Sequence, residues 1–297
     1  MVKKQLTFTE RLVQNLYYIP VIILALIMII PFYWMVLGAF KSVEELKRVP
    51  PTLTIENPTL DNFHDPDADL PDHVDGLFQR YTRTDGGFMR FYANSVFVAV
   101  VNTVLSLMVA SLAAYVFAKH RFPGRNTLFL LVLGSMMIPW QVTILPNYLI
   151  VDEIGWLNTF EGLIIPALPR AFALFFLRQY MLSIPDDLID AARVDGANEF
   201  LIWWRVVLPL TIPAMVAMGL FVYLGNWNNL VWPLMITSGD MRTLPVVMST
   251  MVDPYSAGFD QGVSMAAALI VSLPTIIIFL FFQKQFVQGI ALTGLKG

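Results

Sequence analysis

Between Arg90 and Lys119 the chain reads FYANSVFVAVVNTVLSLMVASLAAYVFA, residues 91–118, without a single charged side chain. A helix crosses the hydrocarbon core of a bilayer in about 20 apolar residues, because it satisfies every backbone NH and CO internally where water is absent. The stretch therefore predicts a membrane-spanning helix with residues to spare. Working outward, the intervals Arg11 to Lys41, Arg125 to Asp152, Arg205 to Asp240 and Asp260 to Lys284 are also long, largely apolar and uncharged between their ends. A sixth stretch, Gly162 to Pro185, is apolar enough to span although it carries Arg170 and Arg178. The expected fold is an all-α polytopic membrane protein with six transmembrane helices.

Composition agrees. The 297 residues are 57% hydrophobic and 14% charged, against roughly 45–50% and 25% in soluble domains, which excludes an ordinary water-soluble globule. A net charge of -3 argues against a nucleic-acid partner, which calls for clustered cations to neutralise phosphates. The absence of cysteine excludes disulfides, cysteine metal sites and thiol nucleophiles.

Basic residues of short loops collect on the cytoplasmic side. Lys119, Arg121 and Arg125 crowd one connection, whereas Val151 to Glu161 carries Asp152, Glu153 and Glu161 and no base. Alternation then predicts both termini cytoplasmic, residues 41–90 outside and the connection Leu182 to Leu208 inside. The first apolar stretch follows Lys3, Lys4 and Arg11 but is too long for a cleaved leader and lacks a small-x-small site, so it is expected to stay as an anchor. Residues 41–90 are rich in Asp, Pro and Gly and read as an extended loop or small cap. Their acidic middle does not make a calcium hand: counting from Asp65, Leu70 stands where the turn needs Gly, and Gly76 where the bidentate Glu belongs. His64 and His73 read as exposed rather than as metal ligands.

The inner connection runs Ser183-Ile184-Pro185-Asp186-Asp187-Leu188-Ile189-Asp190-Ala191-Ala192-Arg193-Val194-Asp195-Gly196-Ala197-Asn198-Glu199-Phe200. Ser183 before Pro185 and two Asp predict a capped helix start, Gly196 the left-handed residue that ends it, and Asn198 the cap of a second helix broken at Pro209. Small residues Ala191, Ala192 and Gly196 permit close approach of another protein, and Asp187, Asp190 and Asp195 offer carboxylates to a basic partner. The competing reading is an interfacial amphipathic helix, supported by Trp203 and Trp204. The residues alone leave both open.

This segment resembles the cytoplasmic signature of binding-protein-dependent ABC importer permeases, which runs Glu-Ala-Ala, three residues, Gly, nine residues, Ile-x-Leu-Pro. Here it stands as Asp190-Ala191-Ala192, then Gly196, then Val206-Val207-Leu208-Pro209, with the spacing intact. Asp replaces the usual Glu and Val the usual Ile. Arg121-Phe122-Pro123-Gly124-Arg125, Leu177-Arg178-Gln179-Tyr180, Trp227-Asn228-Asn229 with Trp232-Pro233-Leu234, and Phe286-Val287-Gln288-Gly289 with Leu295-Lys296-Gly297 are similar to the carbohydrate-uptake branch. The likeness covers nearly all the chain outside about 61–87.

The resemblance implies a type I importer permease fold in the inner, plasma membrane of a prokaryote. Residues 1–40 would form the N-terminal segment and first span, 41–90 the outer loop, and 91–297 a five-span core with cytoplasmic coupling helices at 183–209. It further implies a second, homologous permease, two cytoplasmic ATPase subunits that hold ATP and magnesium, and an extracytoplasmic solute-binding protein. No cofactor and no catalysis are expected on this chain, and no Gly-x-x-x-x-Gly-Lys-Ser/Thr phosphate loop occurs in it. ATPase coupling would fall to Asp187, Asp190, Ala191, Ala192, Asp195 and Gly196.

Sugars bind by hydrogen bonds and aromatic stacking, so substrate-path candidates are polar and aromatic residues inside spans. These are Asn226, Trp227, Asn228 and Asn229 between Gly225 and Pro233, Trp140 and Gln141 after Pro139, and Arg170. The amides equally suit ties between helices, and Arg170 suits contact with an anionic substrate group or an outer-loop acid, or equally snorkelling to the outer interface. A proton-coupled secondary transporter, which needs an acid or His inside a span, and an ion channel are the rival classes.

Overall fold

The computed structural model describes residues 16, 18–64, 75–80, 87–251 and 260–294. The acidic run 65–74, with His73, and the closing Leu295-Lys296-Gly297 lie outside the described residues. Helices in chain order are α1 (Tyr18–Ala39), α2 (Val43–Leu46), α3 (Leu77–Arg80), α4 (Gly87–Lys119), α5 (Arg125–Ser135), α6 (Trp140–Glu153), α7 (Phe160–Ile164, extended by a 3₁₀ turn Ile165–Ala167), α8 (Ala171–Met181) and α9 (Asp186–Val194). They continue with α10 (Glu199–Trp227), α11 (Val231–Ile236), α12 (Leu244–Met251) and α13 (Gln261–Gly294). Among the described residues four helices, α1, α4, α10 and the part of α13 up to Gln283, are long and apolar enough to cross a membrane, and with each of two bent pairs counted as one span the number is six.

The breaks revise the expectation of six uninterrupted helices. The interval Arg125 to Asp152 is two helices bent by 96° between Ser135 and Trp140. Pro139 explains the bend, since it donates no NH and its ring excludes the preceding residue from helical geometry. The sixth stretch bends by 49° between Phe160–Ala167 and Ala171–Met181, where Pro166 and Pro169 lack the NH groups a continuous helix needs, although Ile165 and Leu168 before them keep helical angles. Pro209 does the opposite of what its position suggested. It does not end the helix that Asn198 starts, because a π turn at Trp203–Val207 precedes it, with the Leu208 NH reaching the Trp203 carbonyl. That wider turn moves the backbone away from the proline ring, and α10 continues to Trp227.

The chain forms two compact units, one within Met1–Arg80 and Met251–Ile270, the other within Tyr81–Thr250 and Val271–Gly297. In the first, the residues after α1 fold into a small cap around a buried ion pair, Lys41 to Glu45 at 3.3 Å. Burial works to raise the Glu45 carboxyl pKa, but hydrogen bonds from Thr52 and from the Glu56 and Asn57 backbones outweigh it and hold the value below the usual glutamate range. Asn62 Nδ2 caps the end of α1 by donating to the Ala39 and Lys41 carbonyls at 3.0 and 2.8 Å.

In the second unit α4, α8 and α10 pack into one apolar core. Ala110, Ala114, Ala173 and Ala214 let the backbones approach, and Leu177, Met181, Ile202 and Val207 fill the gaps. Gly219 of α10 faces Leu107 of α4 so closely that a Cβ would sit 3.1 Å from its Cδ1. A second cluster, Val98, Val151, Leu163, Ile164, Trp232 and Ile236, joins α4, α6, α7 and α11.

Candidate functional site

The inner connection is a helix, a turn and a second helix start. Asp186 opens α9 behind Pro185, and its carboxylate receives Lys119 Nζ at 2.6 Å. That hydrogen bond, with the lysine charge, holds the Asp186 pKa below the ordinary aspartate range. Ser183 does not cap the helix as its position suggested; its hydroxyl donates back to the Tyr180 carbonyl at 2.7 Å, and Pro185 occupies the cap position. At the other end Gly196 has φ +82°. The Ala197 NH reaches the Ala192 carbonyl and the Gly196 NH the Arg193 carbonyl, both at 3.0 Å, which is the Schellman ending that a left-handed residue makes possible. Asn198 then caps α10, its Oδ1 accepting from the Leu201 NH at 2.9 Å.

One face of α9 is anchored. Ile189 is 1% exposed among Met181, Ile184, Ile202 and Val207, and Ala192 packs against the same cluster. Arg193 bridges Asp190 and Glu199, each at 2.9 Å, and Glu199 also accepts from Tyr115 at 2.6 Å and faces His120 at 3.2 Å. Asp190 is thus engaged with its own chain rather than free for a partner. Asp187, Ala191, Asp195 and Gly196 point outward with Leu188 and Val194, the latter 88% exposed. A Cβ on Gly196 would meet nothing within 4 Å. The result is a projection seated on its buried inner face, whose outer face mixes small, apolar and acidic side chains.

The second site lies where helices break. Trp140, Thr143 and Asn147 of α6, Pro169 and Arg170 at the α7–α8 break, and Asn229 after α10 line a cavity of about 500 Å³, with Trp232 of α11 behind it. Arg170 Nη2 donates to Asn226 Oδ1 at 2.7 Å, Asn226 Nδ2 to Asn102 Oδ1 at 2.8 Å, and Asn102 Nδ2 to the Ile164 carbonyl at 3.0 Å. Ser106 also donates to Asn102 Oδ1, at 3.2 Å. Trp232 Nε1 donates to the Gly162 carbonyl at 3.0 Å, pinning α11 to α7.

The structure therefore divides the sequence candidates. Trp140, Asn229 and Arg170 line the cavity; Asn226 stands behind Arg170 as part of an amide relay, so the reading of these amides as ties between helices applies to it. Trp227 is 2% exposed, stacked against Tyr223 with ring centroids 5.9 Å apart and edge-on to Tyr92. Asn228 turns back to the Leu224 carbonyl at 3.0 Å, and Gln141 is exposed without lining the cavity. Sequence reasoning missed Thr143 and Asn147, which stand three and seven residues after Trp140 on the same helical face, a spacing that was available to find them. Among the described residues no cluster of His, Asp or Glu could hold a metal ion.

Apolar crossings that break around a polar cavity, joined by a seated helical projection at a loop, define a polytopic transport protein rather than a soluble enzyme or a bundle of anchors. Residues 103–292 match the family of binding-protein-dependent transport system inner membrane components. The chain belongs to this family and is an inner-membrane component of such a system. It is 36% identical over 278 residues, 92% of this chain and 93% of the other, to an arabinooligosaccharides transport system permease protein of Halalkalibacterium halodurans. It is 33% identical over 205 residues, 69% and 72% of the two chains, to the sn-glycerol-3-phosphate transport system permease protein of Yersinia enterocolitica. Its fold matches a chain of a solved bacterial ABC transporter involved in alginate import, with TM-score 0.79, 22% identity, and coverage of 96% of this chain and 100% of that one. Membership implies ATPase and solute-binding partners.

Proposed function

We propose that the chain forms half of a translocation path for a sugar, polyol or sugar-phosphate solute, the other half coming from a second, similar permease. ATP and magnesium bind on the cytoplasmic ATPase subunits, and this chain performs no catalysis. Both termini lie in the cytoplasm, residues 41–90 face the solute-binding protein, and α9 with the following turn docks in the ATPase. Alternating access requires a bias between outward-facing and inward-facing states. Moving such an equilibrium from 1:99 to 99:1 takes about 5.5 kcal/mol of differential binding, which closure of the ATPases around ATP supplies through the docked projection.

The observation that carries this reading is the seating of α9. Its inner face is buried under Ile189, and it is tied to α4 through Lys119 and to α10 through Arg193 and Glu199. A push on Asp187, Ala191 or Gly196 is therefore delivered to the two helices that reach the cavity relay through Asn102 and Asn226. The relatives that transport an oligosaccharide and a glycerol phosphate support the solute class.

The test is binding-protein-stimulated ATP hydrolysis in the reconstituted transporter, for wild type and Gly196→Asp. Stimulation in the wild type and its collapse in a variant that still assembles is expected. Full stimulation in the variant, or an assembly without ATPase subunits, overturns the reading.

A further inference from the structure

We infer that the cavity contains a subsite for an anionic group on the solute, a carboxylate or a phosphate ester, received by the guanidinium of Arg170. The inference rests on the half-channel reading above and narrows the solute class of the same site.

Arg170 is half-buried at the break between α7 and α8, in a segment that crosses the membrane. A cation there is costly unless something of opposite charge or a wet cavity faces it. Among the described residues Arg170 has one polar partner, the neutral Asn226 Oδ1, and makes no ion pair. Its Nε is buried without a hydrogen-bond acceptor. The cavity offers no remedy from its own walls: its polar side chains are Trp140, Thr143, Asn147, Asn229 and Arg170, with no Asp or Glu among them.

Hydroxyl groups both donate and accept, so a site built for a neutral sugar serves them with carboxylates as well as donors. This cavity instead carries one positive charge that no carboxylate of its lining compensates, beside amides and a hydroxyl that both donate and accept. An anion entering it meets the end of the guanidinium, where Nη1 makes no hydrogen bond among the described residues and Nη2 is held by Asn226, whereas the buried Nε is out of its reach. The amide relay supplies the orientation. Asn102 accepts from both Asn226 and Ser106 and donates to the Ile164 carbonyl, which leaves the Asn226 oxygen to hold one edge of the guanidinium in place. Snorkelling to the interface would not require that relay.

The test uses the complete transporter in lipid nanodiscs without its binding protein, so that the selectivity measured belongs to the permeases. Equilibrium binding of digalacturonate, glucose 1-phosphate and neutral digalactose is measured by calorimetry. At least one anionic probe should bind tenfold or more tightly than digalactose, and the carboxylate and phosphate arms show which anion is taken. Arg170→Gln should abolish that preference, lowering the affinity for the anionic probe tenfold or more, and Arg170→Lys should restore part of it. The anion should raise the thermal midpoint of the wild type and not that of Arg170→Gln.

Equal affinity for the three probes, a preference that survives Arg170→Gln, or no binding in an assembly whose ATPase still responds to its binding protein overturns the inference. So does a large loss of midpoint in ligand-free Arg170→Gln without any anion preference, because it assigns the charge partner to the second permease. Digalactose binding without anion preference sinks the subsite alone. Absence of both binding and ATPase stimulation sinks the half-channel reading with it.

Discussion

The projection around α9 and the cavity behind Arg170 are both polar features of an apolar protein, and they are built in opposite ways. The projection uses ion pairs at the surface: Lys119 to Asp186, Arg193 to Asp190 and Arg193 to Glu199. Exposed pairs of this kind are each worth little and exchange partners readily. The cavity wall uses neutral amides, with Asn102 fully buried and its side-chain oxygen and nitrogen both bonded. A buried polar network is stiff when complete and expensive when one member is lost. The difference teaches where each site can move. On the function proposed above, a docking surface gains from pairs that re-form around a partner, whereas the path for a solute gains from a wall that keeps its shape.

If the cavity wall is the rigid member of the pair, its variants should dominate. The largest effect is expected for Gly162→Ala. A Cβ there is driven into the carbonyl oxygen of Trp156, which is backbone and cannot swing aside. The Gly162 carbonyl is also the acceptor for Trp232, so α7 and α11 should separate, with a loss of about 3 kcal/mol or more seen as a collapsed thermal midpoint or failed assembly. Next comes Asn102→Leu. It keeps the volume but leaves Asn226 Nδ2 and the Ile164 carbonyl without partners, at about 1–3 kcal/mol for each buried group. A midpoint unchanged in Asn102→Leu would show that the wall tolerates loss of its relay and would break the contrast.

The same contrast decides what could be read from sequence. Gly196 and Asn198 were legible because a left-handed ending and a side-chain cap are settled within a few residues. Ser183 and Pro209 depart from their expected roles for local reasons: the Ser183 hydroxyl donates back to the Tyr180 carbonyl instead of accepting from α9, and a π turn accommodates the proline. The crossings were legible from charge spacing, but their breaks at Pro139 and at Pro166 with Pro169 carried a visible signal that length alone overrode. The cavity was legible only in part. Asn226, Trp227, Asn228 and Asn229 are consecutive, and successive residues at a helix end point about 100° apart. They accordingly part company, into the relay, the packed interior, the backbone of α10 and the cavity. Asn102 gave no signal, since one amide in a long apolar helix gains its meaning only when α7 and α10 are brought beside it.

On the projection the effects should be smaller and local. Gly196→Ala meets no neighbour within 4 Å, so its cost is the left-handed backbone alone, roughly 1 kcal/mol. Hydrogen exchange of the last turn of α9 should quicken roughly fivefold, while the midpoint of the transporter stays close to that of the wild type. A global loss of stability in Gly196→Ala would erase the distinction between the two regions.

The smallest effect concerns Asp186, whose side chain is 76% exposed although Lys119 is not. Its pKa is lowered in the folded chain by the lysine hydrogen bond and charge. A carboxyl with a lowered folded pKa contributes stability above its unfolded value and loses it as pH falls through the folded one. The contribution should therefore be whole at neutral pH and fade only below about pH 4, where the unfolded aspartate begins to bind its proton. Exchange protection at the start of α9 should differ slightly between wild type and Asp186→Asn at pH 7, and the difference should shrink as the pH is taken below about 4. Because the Asp186 carboxylate is exposed, raising salt at pH 7 should narrow the same difference. If the difference does not shrink at all as the pH falls below about 4, the carboxylate is not what fastens α9 to α4, and the buried Ile189 face holds the projection without it.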